Sequence, residues 1–514
     1  MAGVVAALGL AGGAAGFAWQ ARVAQHRFDE VRKLATVFLF DVHDQVAVLP
    51  GSTGVRDMIT RIAVESLDSL SRDAGNNYPL RRELAAGYLR LGTVQGSQTG
   101  ANLGRHVEAV ASFDRGLELL KGLPQSELNQ AAATEAGLRE NRGRNLNAMG
   151  KRSDAEGDLK RALGLRTALC LDPVHDKAPC LGRISALAVL IEIGVRHSQV
   201  DAVDGYLKQY DAATEELRPA LSAPEHQGQR LRSSIFHARL EYIRHGYGAA
   251  ADMLRPAFPT ARELVRAGQN DDSLRLGVIY CLMYGSMALE APADVHDPEL
   301  EAVLKQGLEW SEALAKRDPQ DQRSQDQSAR LQALLGASIT REEPARGVPL
   351  LRRAIRQFLD DLRLAPANVD ALALLVDTSN HLVRADVRLG RETEAVMDLR
   401  DVLKVYDPLT MIGLKLERPT AAREIQARAW IAGERTSFSK AVGAWDLDAA
   451  RIAEAALDAD PENPALEEAS AQLYDLLSDK SKPLNSWKQR ANGLWQRLAL
   501  KFPDNPAVSN RVPR

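Results

Sequence analysis

The chain has 514 residues, of which 45% are hydrophobic and 26% charged, and this balance excludes a largely disordered protein. A formal net charge of -3 over this length leaves no basic stripe, which argues against nucleic acid as the main partner. Aromatic residues make up only 5% and alanine is abundant, so we expect closely packed helices and an all-α fold.

Residues 1–21 predict a membrane anchor, because no charged residue lies between Ala2 and Trp19. As a helix these eighteen residues would span about 27 Å, close to the roughly 30 Å of a hydrocarbon core. Trp19 and Arg22 suit the membrane interface. No basic side chain precedes the run, as one would in a secretory signal, although Gly16-Phe17-Ala18 could serve as a cleavage site. We expect an uncleaved transmembrane helix, with a cleaved signal peptide as the alternative.

Glycines recur at four-residue spacing in this segment, as Gly9 with Gly13 and Gly12 with Gly16. Such GxxxG pairs allow two membrane helices to approach closely, so they predict contact with a second copy of the chain and a homodimer. The alternative is that glycine and alanine are simply common in membrane helices.

Two amphipathic helices are expected between residues 22 and 75. Apolar residues recur every three or four positions over 31–46 and again over 59–70, which is typical of helices with one buried face. Pro50-Gly51 ends the first helix, and Ser52 or Thr53 can cap the second. This hairpin must bury its apolar faces against something further along the chain.

Several prolines are preceded by small or apolar residues at the same three positions, namely twelve, eight and five residues before the proline. This pattern is met by Ala449, Ala453 and Ala456 before Pro461, by Ala491, Trp495 and Leu498 before Pro503, and in part by Ala354 and Phe358 before Pro366. The pattern is typical of the second helix of a tetratricopeptide repeat. Gly143 and Gly390 start weaker copies. An ordinary helical bundle with Asp-Pro breaks is the alternative.

Strand signals are nearly absent, so we predict an all-α, tetratricopeptide-like helical-hairpin solenoid, coiled as a right-handed superhelix behind one transmembrane helix. We divide the chain into an anchor (1–21), a juxtamembrane hairpin (22–75), N-terminal repeats (76–180), degenerate repeats (181–330) and C-terminal repeats (331–508).

Four stretches of the N-terminal third carry a family resemblance: "WQARVAQHRFDEVRKLATVFLFDVHDQVAVLPGSTGVRDM", "ESLDSL", "ELAAGYLRLGTVQG" and "ANLGRHVEAVASF". Together they resemble the non-catalytic half of bacterial membrane-anchored serine/threonine protein kinases that end in tetratricopeptide repeats. The resemblance covers roughly residues 18–120. It implies a single-pass protein of the bacterial inner membrane that acts as the sensing or scaffolding half of a signalling protein, with its kinase domain ahead of the anchor.

This chain itself departs from a kinase, because it has no HRD catalytic loop, no DFG and no glycine-rich loop after a strand. We therefore expect no enzymatic activity and no cofactor. Two signals disagree on which side of the membrane the repeats lie. The resemblance places the repeats outside the cytoplasm, whereas the basic residues after the anchor favour the cytoplasmic side; they are Arg22, Arg27, Arg32 and Lys33.

The densest cluster of reactive side chains lies in "CLDPVHDKAPC", which contains Cys170, His175, Asp176 and Cys180. These four residues lack the regular ligand spacing that is typical of a metal site. A disulfide between Cys170 and Cys180 is possible outside the cytoplasm, and reduced, buried thiols are the default within it.

The predicted binding surface is a peptide groove along the first helices of the repeats. Its candidate residues are Asn141, Arg144 and Asn145 on one helix and Asn380, Arg384 and Arg388 on another. Arginine and asparagine can hold a peptide carboxylate or backbone through bidentate and amide hydrogen bonds, so a protein or peptide partner is expected. The alternative is an ordinary solvated helix surface.

Overall fold

The computed structural model describes residues 77–97, 101–149, 151–196, 199–268, 270–290, 297–365, 368–391, 445–459, 461–480 and 485–512, with scattered positions between 37 and 69 and between 393 and 398. Within these ranges the regular secondary structure is helical and contains no strand, which confirms the all-α prediction there. The anchor, with Gly9, Gly12, Gly13 and Gly16, lies outside the described residues, as does most of the juxtamembrane hairpin.

From residue 78 onward the helices are α1 (Tyr78–Gly96), α2 (His106–Leu120), α3 (Gln125–Ala148), α4 (Arg152–Leu169), α5 (Lys177–Arg196), α6 (Val200–Leu217), α7 (Ala223–His245), α8 (Tyr247–Leu254), α9 (Phe258–Gly268), α10 (Asp271–Glu290), α11 (Leu300–Arg317), α12 (Gln322–Glu342), α13 (Pro344–Leu364) and α14 (Val369–Arg388). Four more follow: α15 (Trp445–Ala459), α16 (Pro464–Lys480), α17 (Asn485–Lys501) and α18 (Pro506–Ser509).

Local sequence signals fix where several of these helices begin and end. Asn77 caps α1 by accepting a hydrogen bond from the Leu80 N–H at 3.1 Å. Ser222 and Glu225 form a reciprocal capping box at the start of α7. Gly246 follows α7 with a φ of 82°, a left-handed conformation that glycine adopts without strain, and the chain reverses into α8.

The helices stack in two rows. Consecutive helices pack side by side along the chain. The two short helices α8 and α9 together occupy the position of a single helix in this stack. In addition α1, α3, α5, α7, α10, α12 and α14 contact one another in succession, forming an inner row. Because the remaining helices are held mainly through this inner row, the stack bends towards it, as in a helical-hairpin solenoid. The handedness of the superhelix stays a prediction.

The positions selected by the proline offsets lie at helix crossings. Ala354 and Phe358 are 0% and 1% exposed, and Ala491 and Trp495 are 0% and 1% exposed. At Gly143 an added Cβ would lie 2.9 Å from the Leu159 side chain and 3.1 Å from the Ala155 carbonyl oxygen. Small residues therefore allow α3 and α4 to approach closely.

The stack curves until its beginning meets its sixth inner-row helix. The loop between α1 and α2 reaches the start of α12, where the Gln322 N–H donates to the Asn102 carbonyl at 3.1 Å. The Asn102 N–H donates to Asp321 Oδ1 at 3.3 Å in a buried contact. Gly104 has a φ of 70°, and a Cβ there would lie 2.9 Å from the Gln322 side chain. We call the segment from α1 to α12 the closed turn.

Residues 51–56 reinforce this closure, because they contact both the loop before α12 and the loop between α1 and α2. Thr53 donates to Asp318 Oδ2 from its N–H at 3.2 Å and from its hydroxyl at 2.6 Å. Arg56 donates to the Ala101 carbonyl at 3.0 Å. These contacts join parts of the chain that lie 265 and 45 residues apart in sequence, so they fix curvature that adjacent hairpins alone do not determine.

The C-terminal helices α15 to α18 form a separate apolar cluster around Trp495, to which Val200 and Ile243 of the closed turn also contribute. The Trp495 indole donates to Asp475 Oδ2 at 2.9 Å. This group therefore docks on the α6 and α7 side of the stack.

One described helix segment, Lys177–Val195, is long and apolar enough to cross a membrane, but 61% of it is buried inside the protein. Ile184, Leu187 and Ile191 are part of a core cluster shared with α6 and α7. Packing within the stack therefore accounts for the apolar character of α5.

Candidate binding surfaces on the inner row

The structure places the first group of predicted groove residues on α3, largely held by internal contacts. Asn145 is 0% exposed. Its amide contacts His106 Nδ1 at 2.8 Å and the Asn141 carbonyl at 2.8 Å, while the Asn141 amide donates to the Gly137 carbonyl at 2.9 Å. Arg144 donates to the Ser185 hydroxyl at 2.8 Å and forms an ion pair with Glu140 at 3.2 Å.

The second group lies on α14, and four inner-row helices lie between α14 and α3. Arg384 and Arg388 are exposed. The Arg388 guanidinium also donates to the Thr340 carbonyl of α12 at 2.6 Å. Asn380 Oδ1 is buried and has no hydrogen-bond partner among the described residues. The structure thus gives two separate polar surfaces, of which α14 is the more accessible.

Inside the closed turn, an ion pair links α10 to the start of α12. Arg275 donates to Asp321 Oδ2 at 2.7 Å and to the Ser324 hydroxyl at 3.2 Å. The Arg275 side chain is 9% exposed and that of Asp321 0% exposed. This buried pair is fully hydrogen-bonded, so its charges compensate each other within the closed turn.

Beside this pair lies Arg323, whose charge is offset only in part by Asp321. Arg323 Nη1 is buried and has no hydrogen-bond partner among the described residues. Burial and the positive charges of neighbouring arginines lower the pKa of Arg323 to about 9, which still leaves the guanidinium charged at neutral pH. Those neighbours are Arg275, Arg232 and Arg144, on α10, α7 and α3.

An acidic pair lies where α12 packs on α13. The Gln322 amide donates to Asp326 Oδ1 at 2.9 Å and to Asp361 Oδ1 at 2.6 Å, and Gln357 donates to Asp361 at 2.9 Å. Burial raises the pKa of Asp361 to about 8, and the neighbouring Asp326 carboxylate adds to the shift. At neutral pH this geometry favours one shared proton between the two carboxyl groups.

The cysteine segment lies between α4 and α5. Cys170 and Cys180 are joined as a disulfide, with their Cα atoms 4.9 Å apart. The exposed His175 contacts Asp172 through Nδ1 at 2.8 Å. Among the described residues no group of three or more histidine, cysteine or acidic side chains is placed to hold a metal ion.

A cleft of about 1140 Å³ separates the closed turn from the C-terminal helices. Its walls carry both signs of charge, including Arg152, Lys160, Asp201, Lys501 and Asp504. The mixed charges do not select one class of ligand.

The sequence pattern did not identify Arg232, Arg275 or Arg323 as a group, because they lie on three different helices. One local signal was present: Arg275 is the only basic residue in the otherwise apolar run "LRLGVIYCLMYG". A charged residue within an apolar helical run indicates a buried polar contact. Its partners, however, depend on the curvature of the whole stack.

No family model matches the chain, and no curated protein matches it. Among solved structures the chain is similar to one described as "Structure of Naa15/Naa10 bound to HypK-THB", with 11% sequence identity and a TM-score of 0.21 over 89% of this chain and 93% of that chain. The fold described above follows from the contacts between this chain's own helices.

Proposed function

We propose that the chain is a helical-repeat scaffold that binds a protein partner through an extended peptide. The observation that carries this proposal is the position of Arg384 and Arg388 on α14, where both are exposed on a helix of the inner row. They lie one helical turn apart, so they can hold successive acidic groups of an extended peptide.

A binding assay with a fluorescein-labelled, glutamate-rich peptide tests this proposal. Replacing both arginines (Arg384→Ala with Arg388→Ala) should weaken the affinity by about tenfold or more, since two charge-assisted contacts are lost. Helical content by circular dichroism should stay unchanged. Arg266→Ala is the matched control, because the Arg266 side chain is 82% exposed and lies on α9. Equal affinity in the double variant and the control would contradict the groove assignment.

The proposal includes a membrane tether formed by residues 1–21, supported by their charge-free sequence and the flanking Trp19 and Arg22. Fractionation followed by mass spectrometry of the N-terminus tests it. Recovery of intact residues 1–22 in the membrane fraction supports the anchor. A mature chain that starts near Trp19 would instead support a soluble or secreted scaffold with a cleaved signal.

The further link to serine/threonine kinase signalling rests on the resemblance of residues 18–120 alone. In this arrangement the repeats would sense or recruit a partner and the enzymatic step would belong to a kinase domain. The nucleotide sequence upstream of the Met1 codon tests the link directly. In-frame codons for a kinase catalytic domain would support it, and their absence would remove this part of the proposal.

A further inference from the structure

One side chain joins the acidic pair of α12 and α13 to the closure of the stack. Gln322 is the first residue of α12, and its Nε2 donates to Asp326 Oδ1 at 2.9 Å and to Asp361 Oδ1 at 2.6 Å. Its backbone N–H donates to the Asn102 carbonyl, which is one of the contacts that close the turn. The position of Gln322 therefore depends on both carboxyl groups, and it sets the position of the loop between α1 and α2.

The stem of the same side chain supports this loop. A Cβ at Gly104 would lie 2.9 Å from Gln322 Cγ, so the loop packs directly on the Gln322 side chain. The loop is braced internally by Asn102, whose amide donates to the Ser97 carbonyl at 2.6 Å and accepts from the Gly104 N–H at 2.8 Å. A shift of Gln322 would therefore move the loop as a unit.

The two carboxyl groups are too close to carry two charges in a buried site. Both Oδ1 atoms lie within 2.9 Å of the same nitrogen atom, and Asp361 is 5% exposed. Arg330 on α12 favours the ionised form of both carboxyls, and His106 at the start of α2 favours that of Asp326. From α13, Gln357 contributes an uncharged amide. Burial outweighs these groups and raises the pKa of Asp361 to about 8.

The second closure contact of the same loop is compensated in a different way. Asp321 accepts from the Asn102 N–H at 3.3 Å, and its other oxygen pairs with Arg275 at 2.7 Å. By contrast, no cation among the described residues forms an ion pair with Asp326 or Asp361. Loss of the proton that these two share thus adds a negative charge that no ion pair offsets.

We propose that Asp326 and Asp361 form a pH-sensitive latch for the closed turn. While they share a proton, the amide of Gln322 reaches both carboxyl groups and the loop between α1 and α2 stays on α12. When that proton passes to the solvent, repulsion moves the two carboxylates apart, Gln322 follows only one of them, and its contact with Asn102 breaks. The closed turn therefore opens at alkaline pH.

Double electron–electron resonance on the full chain measures this opening. Nitroxide labels are attached at Glu108→Cys and Gln320→Cys, two exposed positions that flank the closure. The native cysteines should take up no label, because Cys170 is bonded to Cys180 and Cys281 is buried. The distance between the labels at pH 6.5 should increase by several ångströms at pH 9.

Asparagine variants separate the latch from other effects of pH. In Asp326→Asn or Asp361→Asn the new amide can donate to the remaining carboxylate, as the shared proton does, so the distance found at pH 6.5 should persist at pH 9. Asp360→Asn, an exposed position on α13, should open as the wild type does. A wild-type distance that does not change with pH would overturn the proposal, as would an increase at pH 9 in both Asp326→Asn and Asp361→Asn. Persistence in either variant would support it.

Discussion

The closed turn and the C-terminal helices are both built from stacked helices, yet they differ in how they pair the charges that they bury. Around Trp495 the C-terminal helices bury mainly alanine, leucine and tyrosine side chains. Glu467 is buried there as well, and it pairs with Arg497 and Lys501, which are 53% and 33% exposed. In the closed turn both members of the Arg275–Asp321 pair are buried. The closed turn thus encloses a complete ion pair, whereas the C-terminal helices pair a buried carboxylate with cations nearer the surface.

The difference indicates which contacts hold each region together. A buried charge lowers stability unless it is paired, so the closed turn depends on keeping the Arg275–Asp321 pair intact. The C-terminal helices depend mainly on the apolar cluster around Trp495. We therefore expect the two regions to respond to different substitutions.

The largest expected effect tests the C-terminal core. Trp495→Ala removes a side chain that is 1% exposed and should lower the free energy of unfolding by about 3–5 kcal/mol, because it leaves a cavity. Urea unfolding measures this loss. Leu500→Ala is the control, since Leu500 is 84% exposed on the same helix and should change stability by less than about 0.5 kcal/mol. Similar losses in both variants would contradict the apolar core assigned to α15–α18.

A somewhat smaller effect is expected in the closed turn. Asp321→Asn leaves Arg275 buried without its carboxylate and should lower the free energy of unfolding by about 3 kcal/mol. Asp271→Asn is the control, because the Asp271 and Arg317 side chains are 44% and 43% exposed and such surface pairs contribute at most about 1 kcal/mol. Equal losses in both variants would show that the Arg275 pair is not buried in solution.

Over the single pH unit that is measured, the smallest expected effect concerns pH. Since the pKa of Asp361 is raised to about 8 in the folded state, the folded chain holds a proton that the unfolded chain releases near pH 4. Its contribution to stability is complete below about pH 4 and is lost as the pH rises to about 8, by at most about 1.4 kcal/mol per pH unit. Urea unfolding at pH 6.5 and 7.5 measures the slope.

Asp361→Asn should flatten that slope, because the substituted side chain cannot titrate. Asp360→Asn, a neighbouring position whose side chain is 58% exposed, should keep the wild-type slope. An unchanged slope in Asp361→Asn would contradict the shared proton between Asp326 and Asp361.

Sequence patterns predicted the fold class and the helix crossings well, because both depend on local spacing. Ala354, Phe358 and Trp495 were selected by their distance from a proline, and they are buried in the helix packing. The binding surface was harder to predict. Asn145 was placed on a groove, but it is fully buried and bonded to His106, because α2 covers that side of α3.

The closure could not be predicted from sequence. Asn102 and Asp321 are 219 residues apart, and no local periodicity indicates that they meet. Small rotations between successive hairpins add up along the stack, and their sum decides which residues face each other across it. Only the full set of helix contacts supplies that information.

The closure is tested most directly by a cysteine pair, Gly54→Cys with Gln320→Cys. A Cβ at Gly54 would lie 2.5 Å from Oε1 and 3.1 Å from Cδ of Gln320, so dibromobimane, a thiol cross-linker of very short reach, should join the two cysteines within the folded monomer. The cross-linked chain should migrate faster on a denaturing gel. The control pair combines Gly54→Cys with Gly248→Cys, where an added Cβ meets no atom within 4 Å, and it should not cross-link. Absence of the cross-link in the first pair, or equal cross-linking in both, would contradict a stack that closes on its own beginning.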